Sequence, residues 1–206
     1  MYIGTIFTGS VKKFKKQQIQ TKFLLLGLPI APSSDESLLV TKTGFGGRNG
    51  YPIKLHRQSV VAAYTRVPAL VVTVFLLFVG NSFLMTGSGI LMAALTIYLF
   101  FYYGRSSRAE NEERELIGSF TGAYGMAAWF TRNMCGDFYD ALRAVYEKNG
   151  RNWQADIKND TVENIPLLYV IALFYAEYHP YEEPFELREK AATLYAAQKE
   201  RTVTFA

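Results

Sequence analysis

The sequence predicts a membrane α+β protein with three parts: a small N-terminal β domain, a two-helix transmembrane hairpin and a C-terminal all-α bundle. Three observations predict it. From Val67 to Gly104 there is no Asp, Glu, Lys, Arg or His, although both flanks are rich in charge. Residues 1–66 carry ten Lys/Arg against two acids, whereas residues 105–206 carry twelve against sixteen, so the overall +4 hides a basic front and an acidic back. Apolar spacing also changes along the chain, from alternation before residue 56 to helical recurrence after residue 107. A globular core draws its apolar residues from the whole chain, and here they are gathered in one block. The expected boundaries are 1–60 for the β domain, 63–104 for the hairpin and 107–206 for the helical domain.

In the first part, Tyr2–Thr8, Ile19–Leu26, Ser37–Thr43 and Tyr51–Leu55 read as strands. Pro29 and Pro32 are expected to end the second of them. The glycine-rich run from Gly44 to Gly50 closes on Asn49-Gly50, which favours positive φ and predicts the hairpin connection there. It lacks the Gly-Lys-Ser/Thr ending of a phosphate-cradling loop. Lys12-Lys13-Phe14-Lys15-Lys16 is the densest charge in the chain. It reads either as a solvated hairpin face or as a contact with anionic lipid headgroups, worth about 1 kcal/mol per well-placed cation. Lys12, Lys13, Lys15, Lys16, Arg57, Arg66 and Arg105 form the expected headgroup-contact set.

The uncharged run of 38 residues would be about 57 Å long as one helix. A hydrocarbon core of about 30 Å calls for two spans instead. These are expected near Ala63–Leu84 and Gly87–Tyr103, with Asn81-Ser82 and Met85 to Gly89 as the turn. Pro68 falls in the first turn of the first span, where its missing N–H costs little. Positive residues flank the outer ends and none lies in the connection, which predicts a multi-pass protein of the inner (cytoplasmic) membrane with both termini cytoplasmic. Tyr98, Phe100, Phe101, Tyr102 and Tyr103 fit an interfacial aromatic belt. Gly89 and Ala93, four apart, allow close helix approach. They serve either a homo-oligomer seam or packing within the hairpin. Neither span carries an ionisable group of the kind transport paths use.

Beyond residue 107, helices are expected over Ser107–Phe130, 133–149, Thr161–Tyr178 and Pro184–Gln198. The acidic start at Glu110, Glu112, Glu113 and Glu115 suits a helix N-terminus. Gly118, Gly122 and Gly125 suggest a break. Phe138, Leu142, Val145 and Tyr146 are expected on one buried face, and Ala191 on the surface of the last helix. Ile165–Ala176 is too short for a span and has Glu163 and Glu177 at its ends, so it reads as the core helix of a four-helix bundle.

No catalytic or metal signature emerges, and no cofactor is expected. Asp137 and Asp140 read as an exposed acidic face beside Arg143. Glu177, His179, Glu182 and Glu183 make a His/carboxylate cluster that a loop after a helix end also explains. Cys135, the single cysteine, rules out an intrachain disulfide and has no neighbouring His to activate it.

Thr21-Lys22-Phe23, Pro29-Ile30-Ala31-Pro32, Ser37, Ile53 and Ser59-Val60, in that order before a membrane helix, resemble a pattern in uncharacterised bacterial membrane proteins. In that family a small β domain precedes one or two membrane helices. Some relatives of the domain carry paired cysteines as zinc ribbons do. This chain has none there, so no metal role is implied, and the resemblance covers about a third of the chain and implies architecture alone. The expected function is a non-enzymatic membrane anchor or scaffold whose helical domain binds another protein, with no nucleic acid as partner. Two alternatives stay open: a membrane-bound enzyme or ligand sensor using an aromatic pocket, and an oligomeric channel or transport subunit.

Overall fold

The computed structural model describes residues 4–26, 28–44, 47–79, 82–148 and 150–204. It divides into two compact units, residues 1–111 and 112–206.

The first unit opens with an antiparallel meander in the order β1-β2-β3-β4: β1 (Gly4–Phe14), β2 (Gln17–Leu26), β3 (Leu28–Gly44) and β4 (Gly47–Lys54). Ile19, Thr21, Phe23, Ser37, Leu39 and Ile53 are buried. Their register pairs Ile19 with Leu39, Thr21 with Ser37, and Ser37 with Ile53, so they share one face. That face lies on the start of α1 (Arg57–Phe78), where Ala62 and Ala63 are buried. There the Phe23 and Tyr64 rings meet edge to face at 5.4 Å. A buried hydroxyl chain joins sheet to helix. Thr21 Oγ1 bonds Ser37 Oγ at 2.7 Å and donates to Ser59 Oγ at 2.9 Å, and Ser59 Oγ donates to the Gly9 carbonyl at 2.8 Å.

Three expectations for the sheet are corrected. Pro29 and Pro32 do not end a strand; both lie in β3, paired with Leu25 and Phe23 beside register shifts. β3 pairs with β4 only from Glu36 onward, so its proline-bearing start is an edge, where a missing N–H is tolerated. The hairpin connection does fall in the glycine-rich run, between Gly44 and Gly47, but Asn49-Gly50 is not part of it, because both residues sit within β4, opposite Lys42 and Val40. A Cβ at Gly50 would stand 2.0 Å from the Leu39 carbonyl oxygen, which is why glycine occurs there. Residues 45 and 46 of that run lie outside the described residues, as do Met1 to Ile3. Finally, β1 runs six residues past the expected Thr8, because register shifts between Thr8 and Val11 and between Val11 and Phe14 disguise its alternation.

After the sheet come α1 and α2 (Phe83–Phe101), both long and apolar enough to cross a membrane. The first ends at Phe78, earlier than expected. Ser82 caps the second by accepting from the Met85 N–H at 3.3 Å, so Met85 to Gly89 are helical rather than turn. Gly80 and Asn81 lie outside the described residues. α3 (Arg108–Thr121) starts with a capping box: the Glu110 N–H donates to Ser107 Oγ, and Glu110 Oε2 accepts from the Ser107 N–H.

In the second unit α3 stops before Gly122, φ 74°, and the chain folds back so that the Tyr124 ring covers Gly118. A single 3-10 turn at Ala127–Trp129 follows. α4 (Arg132–Glu147), α5 (Trp153–Asn159), α6 (Ile165–Tyr178) and α7 (Glu182–Thr204) complete the unit. α6 is its centre, with Leu167, Leu168, Val170, Ile171, Phe174 and Ala176 buried and α4 and α7 against it. The buried face of α4 is Cys135, Gly136, Tyr139, Leu142 and Tyr146. Val145 is 65% exposed and does not belong to it, and Ala191 is buried in α7 rather than on its surface. α5, set by the Asn152 cap on the N–H groups of Gln154 and Ala155, was not expected.

Candidate functional sites

The first site is a basic cleft of about 650 Å³ where β1 meets the end of α2. β1 reaches it by two local departures from strand geometry. Gly9 has φ 70° and Lys12 φ 53°, each inside a register shift, and Lys12 accordingly turns inward at 8% exposure. Its ammonium is held by the Glu110 carboxylate at 2.7 Å, and its own N–H donates to the Gly104 carbonyl at 2.6 Å. Gly104 itself has φ 77°, and a Cβ there would meet Val11 Cγ1 at 2.5 Å. Among the described residues no carboxylate lines the cleft, whereas Lys12, Lys13, Arg66 and Arg105 all do. Asn111 lines it as well, with a buried Oδ1 that has no hydrogen-bond partner.

The seven expected headgroup residues therefore divide. Lys13, Lys15, Lys16, Arg57 and Arg105 are exposed. Lys12 and Arg66 are engaged inward. The Arg66 guanidinium donates to the carbonyls of Leu99 (2.8 Å), Ser10 (2.7 Å) and Tyr103 (3.3 Å). Leu99 lies in the last turn of α2, where carbonyls lack helical partners, so Arg66 clasps that end to β1. Lys15 and Lys16 form the two-residue turn between β1 and β2, closed by the Phe14–Gln17 pair. Their φ values of 44° and 66° are those of a type I′ turn, a site normally taken by Asn or Gly.

Gly89 is buried and faces α1; a Cβ there would come within 2.8 Å of Leu77 Cδ2 and 3.3 Å of the Leu76 carbonyl carbon. Ala93 is half-buried on the same helix. Thr73 and Thr96 hydroxyls bond across the pair at 2.8 Å.

The second site is a cleft of about 390 Å³ bordered by α4, α5 and the end of α6. Trp153, 1% exposed, stands edge-on to Tyr139 (5.9 Å) and Tyr175 (5.1 Å), while Asp140, Arg143, Glu147 and His179 line the remainder. Arg143 Nε donates to Glu147 Oε2 at 2.8 Å. Burial pushes the Tyr139 phenol up. Close by, Tyr146 Oη donates to Asp156 Oδ2 at 2.9 Å; burial first, then this hydrogen bond and the carboxylate charge, push Tyr146 up to about 12. Neither cleft is legible in the sequence, since each joins residues far apart in the chain; the aromatic richness of the helical part is the one signal of the second. Among the described residues no three His, Cys, Asp or Glu side chains are placed to hold a metal ion.

No protein-family model, curated protein or solved structure matches this chain.

Proposed function

We propose that the protein is a non-enzymatic membrane anchor, with α1 and α2 crossing the bilayer as a hairpin, both termini in the cytoplasm, and the second unit held at the membrane to bind another protein. One observation carries the anchoring. α1 and α2 leave Val71, Phe75, Phe78, Phe83, Leu84 and Leu91 between 55% and 93% exposed. In water each such side chain would forgo about 1.5–3 kcal/mol of burial. A core helix of a soluble protein hides these groups, whereas lipid satisfies them. The exposed cations Lys13, Arg57 and Arg105 at one end of the helices, and the lack of any in 79–104, support the orientation.

The test is extraction and labelling. The protein should remain in the membrane pellet at alkaline pH; release into the supernatant sinks the anchor. In a Cys135→Ser background, Ser82→Cys should react with an impermeant maleimide on intact cells, and Lys13→Cys only after permeabilisation. The reverse pattern overturns the orientation.

The partner surface of the second unit would be polar, because among its described large apolar side chains only Val145, Tyr181 and Phe185 are exposed. The aromatic cleft supports a second reading, a small-ligand sensor, since its volume and its convergent polar groups suit a small molecule. A binding partner lost on Arg143→Glu supports the first reading; a small molecule retained through purification and lost on Tyr175→Ala supports the second.

A further inference from the structure

We propose that the basic cleft binds one anionic phospholipid with a hydroxyl-bearing headgroup, its phosphate between Lys13 and Arg105 and one acyl chain along the groove that starts at Phe100 and Phe101. The inference rests on the membrane reading above and gives that surface a ligand.

Two cavities make the site, and they share residues. The basic cleft is lined at one side by Phe100 and Phe101. The same two rings, with Leu70, Thr96 and Ile97, line a shallow groove of about 220 Å³ that is wholly apolar. Thr96 does not make it polar, because its hydroxyl is turned to Thr73. A cationic chamber opening onto an apolar groove has the polarity of an amphiphile with an anionic head. Leu70, Ile97 and Phe101 are 48%, 55% and 63% exposed, so the groove is open along its length.

The chamber's charges are unequal. Lys12 is paired with Glu110, and Arg66 is held by three carbonyls. Their charge still contributes to the field, but Lys13 and Arg105, both exposed, are the cations able to move onto a phosphate. Arg105 is steadied over the Tyr102 ring, 4.8 Å from its centroid. Asn111 adds selectivity. Its buried Oδ1 lacks a donor, and a phosphate oxygen offers none. A headgroup hydroxyl does, which favours a glycerol headgroup over a bare phosphate. Inorganic phosphate shares the charge chemistry and leaves the groove empty.

The experiment uses the full chain in nanodiscs of phosphatidylcholine with a minority of phosphatidylglycerol. Native mass spectrometry after release from the disc counts the lipids still bound. Wild type should retain one phosphatidylglycerol, enriched about tenfold or more over its share of the disc. Lys13→Gln with Arg105→Gln should abolish the enrichment. Lys15→Gln with Lys16→Gln removes the same charge from the hairpin tip, outside the cleft, and should preserve it. Equal loss in both double variants would show a diffuse surface potential and overturn the site, as would retention in proportion to the disc. Displacement of the lipid by inorganic phosphate would show a soluble-anion site and overturn the lipid assignment. A chain that stays soluble and never enters the discs refutes the membrane reading itself, which separates the two failures.

Discussion

Replacing Tyr146 by Phe removes one oxygen from the second unit and leaves the ring where it is. The ring is 7% exposed, and its hydroxyl makes a 2.9 Å bond to Asp156 Oδ2. Asp156 also accepts from Thr161 Oγ1 and sits 4.0 Å from the Arg151 guanidinium, so it keeps partners in the variant. The loss is then that of a hydrogen bond to a charged group, about 1.5–3 kcal/mol. The phenol's rise from 10.0 to about 12 gives an independent figure: at ~1.4 kcal/mol per unit it corresponds to at most about 2.7 kcal/mol, reduced by solvent screening. The sign follows from the direction. A folded-state value raised above the unfolded one means that the stabilisation is complete below pH 10, and is lost as pH rises through about 12. Trp129 and Trp153 are the only two tryptophans and both lie in this unit, so urea unfolding followed by their fluorescence reports it alone. Wild type should exceed Tyr146→Phe by about 2 kcal/mol at neutral pH and converge with it near pH 12. A neutral-pH difference below about 0.5 kcal/mol would refute the reasoning. So would a difference absorbance spectrum in which the missing phenol titrates near 10.

Two further predictions follow from packing. Gly50→Ala should destabilise the sheet by at least ~2 kcal/mol, since the new Cβ would meet the Leu39 carbonyl at 2.0 Å. Gly44→Ala, where nothing lies within 4 Å, should be near neutral. Hydrogen exchange of the β3 and β4 amides distinguishes them, and equal protection would refute the placement of Gly50. On α4, Leu142→Ala should cost about 2–5 kcal/mol, whereas Val145→Ser, at a 65% exposed position, should change stability by less than ~0.5 kcal/mol. Urea midpoints in the reverse order would show that the buried face was misassigned.

The antiparallel sheet followed by helices was legible because its signals are local. The uncharged run from Val67 to Gly104 needs only counting, and α6 announces itself by twelve consecutive uncharged residues. What failed depended on distant partners. Pro29 and Pro32 look like strand breakers until β4 is seen to stop short of them. Asn49-Gly50 carries a turn signature, yet the close approach of Leu39 puts the glycine in a strand. Val145 and Tyr146 are adjacent, and period alone placed both inward; the helix could bury only one. Arg66 read as a flanking charge because nothing local reveals that three carbonyls from β1 and the end of α2 converge on it. The clefts were illegible for the same reason.

The lysine hairpin and the buried hydroxyls bear on one question, namely what fixes a basic surface at the end of two apolar helices. Left-handed backbone costs a residue with a Cβ about 1–2 kcal/mol. Three of the four such non-glycine residues among those described are Lys12, Lys15 and Lys16. Lys12 offsets that cost through Glu110. Lys15 and Lys16 are exposed at the turn, so burial does not offset theirs, and the structure around them must hold the turn. The Phe14–Gln17 pair closes that turn. Farther along the sheet, Thr21, Ser37 and Ser59 bond β1, β2 and β3 to the first turn of α1 in one buried set. At Gly9 the approach is so close that a Cβ would stand 1.9 Å from the Ser59 carbonyl oxygen. These contacts join the sheet to α1, and the Arg66 clasp ties the end of α2 to the same strand. Lys12 and Lys13 are thus carried on a strand bonded to both helices, which favours a defined cationic site over a diffuse charge.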